Sequence, residues 1–150
     1  AMIRVMSELN RAAAEALEGL EAHACTDVTG FGLLGHALEM AAASRVELTI
    51  HAGQVPVLSW AREYAAMGLV PAGSHANRRF CERHLFVDPR VGQVEVDLLS
   101  DAQTSGGLFI AVAAPHGQVL LRRLKERGVA EAAIVGEVTG AGIGRIRVMP

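Results

Sequence analysis

The chain has 150 residues with a formal net charge of -2, and 51% of its residues are hydrophobic although only 4% are aromatic. This length fits a single domain with an aliphatic core, and the near-neutral charge gives no general attraction to nucleic acid or anionic membranes. No apolar run approaches the ~20 residues that span a bilayer, and the first residues lack the regions of a signal peptide, so we expect a cytoplasmic domain that binds neither nucleic acid nor membrane.

Hydrophobic spacing predicts helices and strands that alternate along the chain. In the first half the predicted elements are a helix from Ile3 to about Glu21, a strand at His23–Thr26, a helix at Phe31–Ala41, a strand at Val46–Ile50 and a helix at Val57–Met67. In the second half they are a short helix through Asn77–Arg83 capped by Ser74, a strand at Val94–Leu99, a strand at Leu108–Ala113, a helix at Pro115–Arg127, and strands at Val129–Val138 and Arg145–Val148. Such mixing indicates an α/β (α+β) fold in which one mixed sheet is covered by helices.

The beginning of the chain and its cysteines allow two further expectations. Nothing ahead of Ile3 supplies the Ser, Thr, Asp or Asn of a native helix start, so we expect the chain to be a piece of a longer protein. Cys25 and Cys81 have no CxxC pairing or regular spacing. They are therefore predicted to be two small core residues in a reducing compartment, rather than zinc ligands or a disulfide.

The segment Thr26–Gly32 has the most chemical potential. A predicted strand ends at Asp27, and a glycine-containing turn then enters a helix. Unpaired N–H groups at a helix N-terminus favour phosphate, glycines allow close approach of a ligand, and Asp27 could bind Mg²⁺. The alternative is structural: Thr29 or Asp27 caps the helix and the glycines only form the turn.

Two other polar segments are candidates for anion binding. Asp101–Gly107 could form a backbone nest for an anion, or could be a tight turn and nothing more. Gly73–Arg79 contains adjacent arginines, which could contact phosphate or could lie on a solvated helix face. The glycines of Gly140–Gly144 match a dinucleotide fingerprint only superficially, because no βαβ unit can follow them.

Taken together, three segments resemble the selenophosphate synthetase (selenide, water dikinase) family. They are Cys25–His36, Pro71–Ser74 with Asn77–Arg79, and Leu98–Leu108, and the resemblance extends from about Leu9 to Val138. One departure is Ser100-Asp101-Ala102, where the family more usually has Cys-Asp-Pro. The resemblance implies the C-terminal domain of a two-domain enzyme in the aminoimidazole ribonucleotide synthetase superfamily, with the fold of that domain.

The resemblance also implies a reaction and its cofactors. ATP, selenide and water give selenophosphate, AMP and phosphate, with ATP and Mg²⁺ held between two domains in a full-length homodimer. The implied ligand-binding positions are Asp27, as a metal ligand, with Thr29, Gly30, Gly106 and Gly107. The family's reactive Cys or selenocysteine and its Lys belong to the N-terminal ATP-binding domain, so no catalytic residue is expected in this chain, and the isolated domain is expected to be inactive.

Two alternatives stay open from the sequence. Another superfamily member, such as a thiamine monophosphate kinase or a hydrogenase maturation protein, would share the fold and part of these motifs. A non-catalytic binding or assembly module would share the fold alone.

Overall fold

A computed structural model describes residues 2–150, and Ala1 lies outside the described residues. The helices, in chain order, are α1 Met2–Ser7, α2 Arg11–Ala16, α3 Gly32–Ser44, α4 Ser59–Ala66, α5 Ala72–Cys81, α6 Gln93–Leu99 and α7 Ala114–Glu126. The strands are β1 Ala22–Asp27, β2 Val46–His51, β3 Leu85–Val87, β4 Leu108–Val112, β5 Gly136–Ala141 and β6 Arg145–Met149. Short turns of 3-10 helix follow β2 and α5 at Ala52–Gln54 and Glu82–His84.

The strands form two separate sheets. β1 and β4 make an antiparallel ribbon, in which Asp27 at the end of β1 lies opposite Leu108 at the start of β4. The other sheet has the order β3-β6-β2-β5, with β2 antiparallel to β5 and parallel to β6, and β3 parallel to β6. The predicted α/β class with a mixed sheet is therefore confirmed. The prediction of one sheet is wrong, because β1 and β4 pair only with each other in the described residues.

The core lies between the four-stranded sheet and the helices α3, α5 and α6. Its strand residues alternate along β2 and β6, as the period of two in an extended chain requires, and its α3 residues recur at intervals of three and four. The buried side chains at its centre are Leu34, Ala37, Leu38, Ala41, Leu48, Ile50, Val96, Leu99, Ile146 and Val148. Each fully buried Val, Leu or Ile side chain stabilises the fold by roughly 1.5–3 kcal/mol.

The two long helices are each followed by a residue with left-handed backbone. α3 ends at Ser44, and its C-cap Arg45 has φ 53°. α7 carries a proline in its first turn and ends before Gly128, which has φ +85°. A glycine after a helix permits that left-handed turn without steric cost. None of the helices in the described part of the chain is long and apolar enough to cross a bilayer.

Three element predictions are wrong. The first predicted helix is divided into α1 and α2, and Ile3 and Leu9 are each 82% exposed although their spacing predicted burial. Val94–Leu99 forms helix α6 instead of a strand, because Val96, Leu99 and Ser100 are buried at helical intervals. The strand predicted at Val129–Val138 begins only at Gly136, and β3 was not predicted.

Candidate functional site

The loops that follow β1 and precede β4 are hydrogen-bonded to each other. The backbone N–H of Val28 donates to the carbonyl oxygen of Gly107 over 3.0 Å, and the N–H of Gln103 donates to the carbonyl oxygen of Thr29 over 2.9 Å. The segments Thr26–Gly32 and Asp101–Gly107, each predicted separately as a candidate, therefore form one surface at the same end of the ribbon.

Two glycines are required by this close approach of backbones. A Cβ atom on Gly106 would overlap the carbonyl oxygen of Val28. Gly32 has φ +68°, and a Cβ atom there would lie 2.6 Å from the carbonyl carbon and oxygen of Ser100. By contrast, a Cβ atom on Gly30 or Gly107 would meet no other atom within 4 Å, so those two positions leave open space above the backbone.

Helix α5 fixes both loops through two polar side chains. The hydroxyl of Ser74, which is buried, donates to Asp101 Oδ1 over 2.5 Å. Asn77 Nδ2 donates to the carbonyl oxygens of Gly30 and Ser100, over 2.9 and 3.1 Å. Ser74 was predicted to cap this helix, but α5 begins at Ala72 and Ser74 lies inside it. The predictions missed these linking roles, since only the fold brings the three segments together.

The hydroxyl of Thr29 is hydrogen-bonded to a histidine on α3. Thr29 Oγ1 lies 3.1 Å from His36 Nε2, and His36 Nδ1 lies 3.2 Å from Glu39 Oε2. Helix α3 begins at Gly32 without any side-chain hydrogen bond at its cap, and only the backbone carbonyl of Thr29 reaches the N–H of Gly32. The alternative in which Thr29 or Asp27 caps the helix is therefore excluded.

Asp27 is exposed at the mouth of this surface. Within the described residues, no side chain donates a hydrogen bond to its carboxylate. An exposed carboxylate with hard oxygen donors fits a Mg²⁺ ligand. In residues 2–150, no group of three or more His, Cys, Asp or Glu side chains is placed to hold a metal ion, so Asp27 would supply one ligand among several.

The adjacent arginines of α5 make no hydrogen bond to the two loops in the described residues. Arg78 Nη1 lies 3.4 Å from Asp97 Oδ1, an acceptor that Gln93 Nε2 also reaches over 2.8 Å. Arg79 is exposed. This arrangement favours the solvated helix face over a phosphate contact for these two side chains.

The two cysteines differ in their surroundings, and both are free thiols. Cys81 is buried at the end of α5, as expected, and burial together with the nearby charge of Glu39 raises the pKa of its thiol to about 11. Cys25 is exposed on β1, so its assignment to the core is wrong. Partial burial and the charge of Asp27 raise the pKa of the Cys25 thiol as well.

Comparison with known proteins gives a family and close relatives. The family model described as AIR synthase related protein, C-terminal domain, matches residues 1–149. The selenide, water dikinase of Pelobacter propionicus is 47% identical over 147 residues, covering 97% of this chain and 42% of that protein. That of Nitratidesulfovibrio vulgaris (strain Miyazaki F) is 45% identical over 148 residues, covering 99% of this chain and 42% of that protein.

A third relative, selenide, water dikinase 2 of Peptoclostridium acidaminophilum, is 42% identical over 137 residues, or 91% of this chain. The chain spans 39–42% of the length of these three relatives. Among solved structures, Escherichia coli HypE, a hydrogenase maturation protein, superposes with a TM-score of 0.64 at 19% identity, covering 91% of this chain and 34% of that chain. That likeness concerns the fold alone, whereas the similarity to selenide, water dikinases that the three segments predicted is confirmed.

Proposed function

The chain belongs to the family of AIR synthase related C-terminal domains, and on this basis we propose that it is one domain of an enzyme that makes selenophosphate from selenide, ATP and water, with AMP and phosphate as the other products. The observation that carries this proposal is the 45–47% identity to selenide, water dikinases over nearly the whole chain. The convergence of the three motif segments on one surface supports it, since dispersed segments could not serve one ligand.

In this proposal the loop surface is one wall of a magnesium–phosphate site. Asp27 would supply a carboxylate oxygen to Mg²⁺, and Thr29, Gly30, Gly106 and Gly107 would line the path of the phosphates of ATP. Gly30 and Gly107 have the open space that close approach of a phosphate needs. Gly106 has a second role, because its missing Cβ allows the loop to contact Val28. Bound Mg²⁺ would neutralise charge that develops on the phosphates during transfer.

The remaining ligands and the reactive groups would come from a second domain. The chain spans about two fifths of the relatives' length, and in the described residues no group of three or more His, Cys, Asp or Glu side chains could hold a metal ion by itself. We therefore place the catalytic residues and most ATP contacts in an N-terminal domain. The role of the present chain is then to position the metal and the phosphates. The full-length protein as a homodimer in the cytoplasm is part of the same proposal.

The proposal is tested with the full-length protein that contains this chain. Incubated with ATP, selenide and Mg²⁺ without oxygen, it should give the 31P resonance of selenophosphate together with AMP. The 150-residue chain alone should give neither product. Transfer of phosphate to thiamine monophosphate instead would favour the superfamily alternative, and turnover of neither substrate would favour a binding or assembly module.

A further inference from the structure

A chain of three side chains in polar contact leads from the candidate site into α3. Thr29 lies in the loop, two residues after Asp27, and is half-buried. His36 lies on α3 and is 8% exposed, with the ring of Phe31 tilted against it at a centroid distance of 5.5 Å. Glu39 follows one helical turn later, and its side chain is 53% exposed. The imidazole ring of His36 therefore contacts Thr29 at one nitrogen, Glu39 at the other and the ring of Phe31.

The partners of His36 determine where its proton lies. A carboxylate presents only lone pairs, so the Glu39 Oε2 atom 3.2 Å from His36 Nδ1 favours the ring form that carries its proton on Nδ1. In a neutral ring the other nitrogen, Nε2, is then an acceptor. Thr29 Oγ1, 3.1 Å from Nε2, must donate its proton to that nitrogen.

This direction of donation has a consequence for ligand binding. A hydroxyl that donates inward presents only oxygen lone pairs outward, so it can accept a hydrogen bond but cannot donate one to a phosphate oxygen. Mg²⁺ dehydrates reluctantly and keeps several waters in protein sites, and each such water is a hydrogen-bond donor. An outward-facing acceptor two residues from a carboxylate suits a water of that kind.

We propose that Glu39 and His36 are positioning residues that fix the Thr29 hydroxyl as a donor to His36, so that Thr29 Oγ1 accepts a hydrogen bond from a water molecule in the Mg²⁺ shell. This role rests on the proposed magnesium–phosphate site. It also changes the expected role of Thr29. The Thr29 hydroxyl accepts a hydrogen bond from the hydrated cation and does not donate one to a phosphate oxygen. Partners of this type orient a metal site, and their loss commonly costs about 10- to 100-fold in metal affinity or activity.

The direction of the hydrogen bonds is tested on the 150-residue chain by 15N NMR of its histidine side chains. At a pH of about 8.5, above the ordinary histidine pKa of about 6.5, His36 should carry its proton on Nδ1. Glu39→Ala should move the proton to Nε2, whereas Glu39→Gln, which keeps an oxygen acceptor, should leave it on Nδ1. His84, exposed on the turn after α5, is the internal control and should not change. A proton on Nε2 of His36 in the unaltered chain would overturn the proposal.

The role in the site is tested in the full-length protein with ATP, selenide and Mg²⁺. Thr29→Val and Glu39→Ala should each lower kcat or Mg²⁺ affinity by about 10-fold or more, with KM for selenide unchanged, and Thr29→Ser and Glu39→Gln should restore both. The double variant should be no worse than Thr29→Val, because both changes remove one interaction. Additive losses, or a Glu39→Ala protein with unaltered Mg²⁺ dependence, would contradict the positioning of Thr29 by His36 and Glu39. If the unaltered protein makes no selenophosphate, the proposed function fails. The His36 tautomer tests separately whether Thr29 donates its hydrogen bond to His36.

Discussion

At the scale of single residues, the chain places two thiols in opposite environments. Cys81 is 1% exposed and packs in the core, while Cys25 lies on an exposed position of β1. Thiolates are the reactive form of cysteine, and burial suppresses them. Reactivity in the native protein should therefore be limited to Cys25.

The Cys81 thiol also predicts a pH dependence of stability. Its pKa rises from 9.0 to about 11 on folding, chiefly through burial, so between these values the unfolded chain loses a proton that the folded chain keeps. Stability should therefore fall as pH rises above about 9. Urea unfolding at pH 8 and 10 should show a larger loss for the unaltered chain than for Cys81→Ala. A native-state thiol titration should count one fast thiol, and equal reaction of both thiols would contradict the buried position.

The roles of individual residues were only partly visible in the sequence. The acidic residue after a strand and the glycines near a helix start identified Asp27 and Gly30 as candidates. Local spacing could not show that Asn77 bonds to Gly30 and Ser100, because the donor lies 47 and 23 residues from its acceptors along the chain. Nor could it show that the Thr29 hydroxyl is hydrogen-bonded to His36, a contact that requires the loop to fold back on α3.

At the scale of elements, the contact between the two loops at Val28 depends on Gly106. Gly106→Ala should lower the free energy of unfolding by about 1–3 kcal/mol, as overpacking of a filled site does, since the added methyl group would overlap the carbonyl of Val28. Gly107→Ala is the matched control: its Cβ would meet no atom within 4 Å, and the change should stay within about 0.5 kcal/mol. Urea denaturation of both variants measures the difference. Equal stability of the two would show that the loops can separate without cost.

Element prediction succeeded for the two longest helices of the structure, α3 and α7. α3 and α7 have extended apolar spacing, and α7 has proline at its start and glycine after its end. Val94–Leu99 failed because a short apolar run suits a strand or a buried helix equally. Gly92 is the N-cap of α6, and the burial of Val96 and Leu99 in the core favours the helix.

At the scale of the whole molecule, the core and the candidate site lie in different parts of the fold. The four-stranded sheet and α3 supply most of the buried apolar side chains. The ribbon of β1 and β4 ends in the loop surface, and α3 and α5 connect that surface to the core through His36, Ser74 and Asn77. Loops on a rigid scaffold are the common location of binding residues. Changes in the loops can therefore alter ligand binding while the core persists.

We propose that Asp27 binds Mg²⁺ in a selenophosphate-forming enzyme, and the Mg²⁺ dependence of turnover in the full-length protein is the decisive measurement of that role. Asp27→Asn should reduce Mg²⁺-dependent selenophosphate formation by about 100-fold or more, since a metal ion supplies several kcal/mol of charge stabilisation, with the unfolding temperature unchanged. Asp88→Asn is the control, because Asp88 pairs with Arg90 over 2.9 Å outside this loop and should leave turnover intact. An Asp27→Asn protein with the turnover and Mg²⁺ dependence of the unaltered enzyme would show that Asp27 is not a Mg²⁺ ligand.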